Sequence, residues 1–231
     1  MNFLELVQRL RSEAGIAGTG PTTTVGQSGE LGRLVNWISA AYEDIQNKNL
    51  DWRFHRKNFV LLLLPSVNIY SRTSPDLALP SGVSVKNFKR NSLRIYTDTS
   101  RFSDELWLPN RDWDLFRDNR LRGASSVQTG RPIEFSLDPS KDIYVWPTPD
   151  AATQYYIRGE FYQAPDVFTS DTSVPIFDSN HMAIVYNALM RYADYASEPA
   201  LFAFAQQQYG RLIGKLEADW KEPITRGGAL A

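Results

Sequence analysis

The 231-residue chain contains no cysteine and only two histidines. The lack of cysteine excludes disulfides and thiolate metal sites. The longest apolar run, Phe59–Pro65, is far shorter than the ~20 residues that a membrane-spanning helix needs. The formal net charge is −1, so no strong overall field draws the protein to nucleic acid or to an anionic membrane. Glu5 interrupts the first apolar stretch, which argues against a signal peptide. We therefore expect a soluble protein that is made in a cytoplasm.

Apolar residues recur every three or four positions near both ends of the chain. This spacing predicts four amphipathic helices, over residues 2–13, 31–49, 182–196 and 201–220. Ser28 is a candidate N-cap for the second helix, and Asp178 or Ser179 for the third. Pro223 ends the last helix, and the residues after it have no periodicity, which predicts a mobile tail.

The middle of the chain has a different pattern. Short β-branched and aromatic runs alternate with turn residues, which predicts about six short strands between Asn58 and Gln163. Two of these strands should be joined by a turn at residues 138–140, where aspartate, proline and serine follow one another.

The stretch "YVWPTPDAATQYYIRGEFY", from Tyr144 to Tyr162, predicts a β-hairpin with one apolar face. Pro147 and Pro149 should end its first strand, because proline lacks a backbone donor. The second strand alternates, since side chains of successive strand residues point to opposite faces. One face should carry Tyr155, Ile157, Gly159 and Phe161, and the other Tyr156, Arg158 and Glu160.

The order of elements is helices, then strands, then helices, which predicts a segregated α+β fold. We expect a helical bundle formed by the N- and C-terminal helices, with a small antiparallel β domain inserted. The helical domain should comprise residues 1–55 and 175–222, the β-rich domain residues 56–174, and an extended tail residues 223–231.

Few residues suit catalysis. His181 lies in the first turn of a helix, and we interpret it as an exposed polar residue. His55 lies among basic neighbours that should depress its protonation, and we expect a surface role for it. Asp112 and Asp114 could hold a metal, but caps and ion pairs are the commoner use of such residues. We therefore predict no catalytic, metal-binding or cofactor-binding residue. The alternative is a small phage or bacterial hydrolase that uses a carboxylate pair drawn from Asp112, Asp114 and Glu134.

Two features point weakly toward phosphate. Gly15, Gly18 and Gly20 have the look of a phosphate-binding loop, but they follow a helix and lack the lysine, so we interpret residues 15–29 as a linker. Residues 86–131 contain ten basic and six acidic side chains. This excess could face phosphates or form an ordinary solvated surface, so a nucleic-acid-binding module remains a second alternative.

The order of motifs carries a resemblance to a known family. "LGRLVNWISAAYEDIQNKNLDWRFHRKNFVLLL" joins a helix to a Trp-Arg-Phe turn and then to a strand. Further along, a Gly-x-Pro strand start, the Pro-x-Pro-Asp segment, a tyrosine-rich strand, "VPIF" and a helix follow one another. From Leu31 to Ala196 this pattern resembles the head-to-tail adaptor, or head completion, proteins of tailed bacteriophages.

The resemblance implies a structural virion protein and not an enzyme. Its subunits would form a ring, commonly twelvefold, that docks under the portal vertex, extends the DNA channel and joins the capsid to the tail. Its partners would be the portal protein, tail, nozzle or tail-fibre proteins, and other copies of itself. Genome DNA would pass through without sequence-specific binding, and no membrane is involved. The protein would occupy the head–tail interface of the virion, and the host cytoplasm during assembly.

Three sets of residues follow as candidate contacts. The portal-docking tail would use Ile224, Arg226 and Leu230. The DNA channel would be lined by Lys86, Lys89, Arg90, Arg117, Arg120 and Arg122. Contacts between subunits would use Trp146, Tyr155, Tyr156 and Phe161, because aromatic side chains are enriched at interfaces.

Overall fold

A computed structural model describes residues 1–49 and 51–221. Within these ranges the chain forms five α-helices and two small antiparallel sheets, so the predicted α+β class is confirmed. The described residues separate into two compact units: residues 1–54 with residues 165–221, and residues 55–164. The first unit is helical and the second contains all the strands named below.

Four long helices build the helical unit: α1 (Phe3–Glu13), α2 (Gly29–Lys48), α4 (Met182–Tyr195) and α5 (Pro199–Trp220). All four lie where the apolar periodicity predicts them. Asn2 and Glu5 start α1 with a reciprocal capping box. Ser28 occupies the N-cap of α2, although its side chain makes no capping bond. The predicted caps of α4, Asp178 and Ser179, are wrong, since His181 occupies that position.

The core of the helical unit is contributed by all four helices. Ile38, Tyr42 and Ile45 of α2 are buried in one cluster with Val185 and Leu189 of α4. Half-buried Trp37 and Leu212 pack against the same cluster. A short 3-10 turn (Arg53–His55) follows α2, and the Trp52 indole Nε1 donates to the Ile45 carbonyl at 3.0 Å. Burial of these large side chains is the main stabilising contribution of the unit.

The larger sheet of the β unit is organised around its longest strand, β9 (Tyr155–Gln163). One side of β9 pairs along eight residues with β1 (Arg56–Leu63), from Arg56 opposite Tyr162 to Leu63 opposite Tyr155. Its other side pairs with β4 (Val85–Phe88) and β5 (Arg94–Tyr96). Two-residue strands form the edges, namely β3 (Leu77–Ala78) beside β1 and β6 (Leu106–Trp107) beside β5.

The smaller sheet has the strand order β2 (Ile69–Tyr70), β8 (Ile143–Trp146), β7 (Glu134–Leu137). Strands β7 and β8 form the predicted hairpin across residues 138–140, with Leu137 opposite Ile143. Helix α3 (Trp113–Arg120) and a 3-10 turn (Gly123–Val127) precede β7.

The hairpin predicted over Tyr144–Tyr162 is wrong. Strand β8 belongs to the smaller sheet and β9 to the larger one, so the two are not partners. The alternation predicted within β9 is nevertheless confirmed, because every second residue from Tyr155 to Gln163 is buried. The apolar face of β9 therefore belongs to a core shared with β1, nearly a hundred residues earlier. Residues 56–163 contain nine strands where about six were expected, and three of the nine are only two residues long.

Candidate interaction surfaces

Glu134 is the most buried carboxylate of the β unit, with 3% of its surface exposed. Its Oε2 accepts a hydrogen bond from Arg111 Nε at 2.8 Å, and its Oε1 accepts one from Arg120 Nε of α3. The Arg120 guanidinium also lies over the ring of Trp146, 4.0 Å from the centroid. The Trp146 indole in turn donates to the Ser125 carbonyl at 2.9 Å. Both carboxylate oxygens are thus engaged, and through Arg120 this group of contacts links α3 to β7 and β8.

Asp112 and Asp114 also have structural positions. Asp112 is the N-cap of α3, and its carboxylate accepts from the amides of Asp114 and Leu115 at 3.1 and 3.3 Å. Asp114 forms an ion pair with Arg117 at 3.1 Å. The prediction of caps and ion pairs is confirmed. In the part of the chain that the structure describes, no group of three or more acidic or histidine side chains is placed to hold a metal ion.

The two histidines are less exposed than their sequence context indicates. His55 is 3% exposed, so the expected surface role is wrong. Burial is the main reason that its pKa is lowered to about 4, and the nearby charges of Lys86 and Lys57 add to this effect, as its basic neighbours predict. His181 is half-buried, with Nδ1 2.9 Å from the Met1 amine and Nε2 2.7 Å from the Phe177 carbonyl. Burial lowers the pKa of His181 as well.

The six basic residues suggested for a DNA channel fall into two groups. Lys86, Lys89 and Arg90 belong to β4 and the turn after it, whereas the three arginines belong to α3 and its C-terminal side. Ion pairs join Lys89 to Glu160, Arg117 to Asp114 and Asp118, Arg120 to Glu134, and Arg122 to Asp118. These pairs reduce the field that the cations would present to phosphate.

A cleft of about 540 Å³, lined by several charged side chains, lies on the outer face of the larger sheet. Arg158 of β9 forms a two-pronged ion pair there with Glu105, its Nη2 at 2.8 Å from Oε2. Glu160 forms an ion pair with Arg56 through Oε1 at 2.8 Å and one with Lys89 through Oε2 at 3.4 Å. Arg94 also lines the cleft and is exposed. Lys89 and Arg94 thus line one cleft with Arg158, which is far from them in the sequence. Lys89 and Arg158 are already paired with carboxylates.

The four aromatic residues suggested for contacts between subunits separate into two pairs. Tyr155 and Phe161 point into the core of the β unit, and Phe161 is fully buried. A contact through these two side chains is inconsistent with their burial, which follows from the alternation of β9. Trp146 and Tyr156 are half-buried, and Tyr156 stacks on Tyr96 with 5.6 Å between ring centroids. They remain candidates for contacts between subunits.

The structure exposes apolar side chains that the sequence analysis did not single out. Both residues of the edge strand β6, Leu106 and Trp107, are 54% exposed. Phe202 and Phe204, near the start of α5, are 38% and 44% exposed. Spacing does not mark the second pair as exposed, because Phe202 lies three residues before Ala205 and so falls on the buried stripe of α5 set by Ala205, Ile213 and Leu216, and only Phe204 lies off it. Exposed aromatic residues of this kind commonly mark protein contacts.

The suggested portal-docking residues Ile224, Arg226 and Leu230 lie outside the described residues. Among residues 1–49 and 51–221, none of the helices combines the length and apolar character that a membrane span requires.

A comparison with protein families places nearly the whole chain in one match. The model of the SU10 adaptor protein family matches residues 1–228. No curated protein matches the chain.

Proposed function

Because the chain belongs to the SU10 adaptor protein family, a family of phage head–tail adaptors, we propose that it forms a ring beneath the portal vertex. Members of such a family are structural components of the virion and interact with portal and tail components. In our proposal the ring, of about twelve subunits, extends the DNA channel and receives the tail, a nozzle or the tail fibres. Before a portal is available, the subunits remain unassembled in the host cytoplasm. The family match over residues 1–228 is the observation that carries the proposal.

The surfaces described above supply candidates for lateral contacts. A closed ring needs two different, complementary patches on each subunit, because its contacts are head-to-tail. We propose that Leu106 and Trp107 on the β6 edge belong to one patch with half-buried Tyr156, because β5 pairs with both β6 and β9. The exposed Phe202 and Phe204 of α5 would belong to the other. Trp146, in the smaller sheet, is a separate candidate contact. Each patch is small, so the isolated protein should be a monomer or a loose oligomer that closes into a ring on the portal.

The C-terminal residues are proposed as the portal anchor. Ile224 and Leu230 would provide apolar contacts, and Arg226 would pair with an acidic portal groove. One such arm binds weakly, but a ring presents many arms to one portal, which raises the effective concentration. The basic residues Lys86, Lys89, Arg90, Arg117, Arg120 and Arg122 remain our candidates for the channel wall.

Light scattering and negative-stain microscopy test the ring. The full chain alone should scatter as a monomer or loose oligomer, and a mixture with purified portal should show rings seated on it. A tight dimer that portal leaves unchanged would contradict the proposal. The double variant Leu106→Ser, Trp107→Ser should reduce ring formation, whereas Leu115→Ser, an equally exposed apolar site on α3, serves as the control.

A deletion of residues 224–231 tests the anchor. The truncated protein should melt at the same temperature as the full chain and bind portal at least tenfold more weakly. The variant Ile224→Ser, Leu230→Ser should reproduce most of the loss, and Arg226→Ala only a small part, because an exposed ion pair contributes little. Undiminished portal binding by the truncated protein would place the contact elsewhere.

A further inference from the structure

The glycine-rich loop after α1 encloses a buried cation. Arg11, in the last turn of α1, is only 8% exposed. Its Nη2 donates to the Ala17 carbonyl, while Nε and Nη1 are buried and donate to no group in the described chain. Its neighbour Arg9, by contrast, is exposed and paired with Glu13 at 2.6 Å. No described carboxylate lies within ion-pair distance of Arg11.

The guanidinium of arginine is a cation in proteins, with five N–H donors and no acceptor. Burial of a charge without a counterion is strongly unfavourable, as are buried donors without acceptors. The site therefore lacks a counterion and hydrogen-bond acceptors, and a bound oxyanion would supply both.

The loop forms a cavity beside this guanidinium. The cavity has a volume of about 470 Å³, and Arg11 lines it together with Gln8, Ser12, Ile16 and glycines 15, 18 and 20. None of these lining residues is acidic. Gln8 is held by its own bond to the Pro21 carbonyl at 2.9 Å. The Ser12 hydroxyl makes no hydrogen bond within residues 1–49 and 51–221, so it is available to a ligand.

Gly18 is required for this arrangement. Its φ is +96°, which side chains rarely adopt, and a Cβ there would lie 2.7 Å from Arg11 Nη2. Glycine at position 18 therefore lets the loop backbone close over the guanidinium.

From these observations we infer that the cavity at Arg11 binds a carboxylate, the side chain of an aspartate or glutamate on a partner protein. Guanidinium and carboxylate groups match in charge and in planar geometry. The cavity is large enough for an acidic side chain and not only for a small ion, and Ile16 offers an apolar wall for its methylene groups. This inference depends on the helical unit alone and stands apart from the proposed tail anchor and ring patches.

Titration of the full chain with two matched peptides tests the site. The probes are acetyl-Gly-Glu-Gly-amide and its glutamine counterpart. The melting temperature of the protein is measured as each peptide is added at constant ionic strength. At ten times its dissociation constant the glutamate peptide should raise the melting temperature by about 3–6 °C, and the glutamine peptide by much less. The variant Arg11→Met should lose this response, and the control Arg9→Met should keep it.

Sodium acetate and sodium phosphate, compared with sodium chloride, identify the ligand chemistry. A response to phosphate without one to acetate or to the glutamate peptide would overturn the carboxylate assignment. So would an equal response in wild type and Arg11→Met, or no response beyond that to chloride.

Nuclear magnetic resonance keeps the proposal testable if Arg11→Met does not fold. In the wild-type chain, the Arg11 Nε–H signal should shift and exchange more slowly with solvent when the glutamate peptide is added. The milder variant Gly18→Ala should weaken the peptide at least tenfold by displacing the guanidinium. An unmoved Arg11 signal, or unchanged affinity in Gly18→Ala, would overturn the inference.

Discussion

Apart from Arg11, the helical unit and the β unit differ in the groups that bind their buried polar side chains. In the helical unit, the Gln46 amide donates to the Asp166 carbonyl at 2.9 Å and accepts from the Asp166 amide at 2.7 Å. Tyr42 donates its hydroxyl to the Asp166 carboxylate at 3.0 Å and accepts from the Ile176 amide at 2.9 Å. Burial raises the pKa of this phenol, so it stays neutral. The bonds fasten the chain after β9 to α2 with mostly neutral groups.

The β unit instead relies on carboxylates. Glu134 is buried between two arginines, and Asp104 accepts from the amides of Thr97 and Asp98 at 3.0 and 3.1 Å. Long helices satisfy their own backbone groups, whereas short strands leave connecting backbone that needs side-chain partners. A charged acceptor is the stronger choice for this task. The comparison implies that the helical unit is sensitive to lost volume and the β unit to lost charge.

Removal of volume from the helical core should have the largest effect. Leu189 of α4 is fully buried, so Leu189→Ala loses apolar burial and leaves a cavity. We expect the free energy of unfolding to fall by about 2–5 kcal/mol. Urea unfolding measures the loss, and hydrogen exchange should show faster opening of peptides from α2 and α4. Leu115→Ala, at a position 65% exposed, should change stability by less than about 0.5 kcal/mol. Equal effects at the two sites would mean that the helices do not form one core.

Removal of the buried charge should have the next largest effect. Glu134→Gln keeps the size of the side chain but leaves Arg111 and Arg120 without their shared carboxylate. We expect a loss of about 1.5–3 kcal/mol, limited because both arginines are partly exposed to water. Asp114→Asn removes a carboxylate that is 74% exposed and should cost well under 1 kcal/mol. If the two variants were equally stable, buried charge would not be what distinguishes the β unit.

A titration of stability between pH 7 and pH 5 tests the buried His55. Its pKa of about 4 in the folded protein is below its ordinary value near 6.5. The unfolded chain therefore binds a proton that the folded chain does not, and stability falls as pH drops below 6.5 until it passes about 4. The loss between pH 7 and pH 5 should be about 2 kcal/mol. His55→Gln should flatten the profile, and His181→Gln should do so less. A wild-type profile already flat in this range would disprove the burial effect.

His55 also shows where prediction from sequence stopped. Its basic neighbours and their effect on protonation were visible in "DWRFHRKN", but its burial depends on how the chain folds back on that segment. The same division holds for the strands. Alternation within β9 is a local property and was predicted correctly, whereas its pairing with β1 is a contact over nearly a hundred residues. The helices were located because their period repeats over three to six turns. Strands of two residues are too short to show any period, and Arg11 gave no signal because burial of a charge cannot be read from spacing.

Substitution of glycine by alanine separates the two units further, because its sign should differ between them. Gly159 lies in the middle of β9, where a Cβ would meet the side chains of Leu93 and Phe59 at 3.1 Å. Both neighbours are buried, so they can yield only by disturbing the core. Gly159→Ala should cost about 1 kcal/mol, at the low end of overpacking. The denaturant midpoint measures this cost, and a rise in that midpoint would show that the core of the β unit has room to spare.

Gly210 gives the smallest effect and the opposite sign. It lies inside α5, is exposed, and a Cβ there would meet nothing within 4 Å. Alanine restricts the unfolded chain and adds no clash to the helix, so Gly210→Ala should stabilise the protein by about 0.5–1 kcal/mol. The urea midpoint should rise with an unchanged slope, and Gly214→Ala, one turn later and equally open, should behave alike. A loss of stability in both would mean that this face of α5 is covered in solution, and light scattering of the wild-type protein would then reveal the second copy.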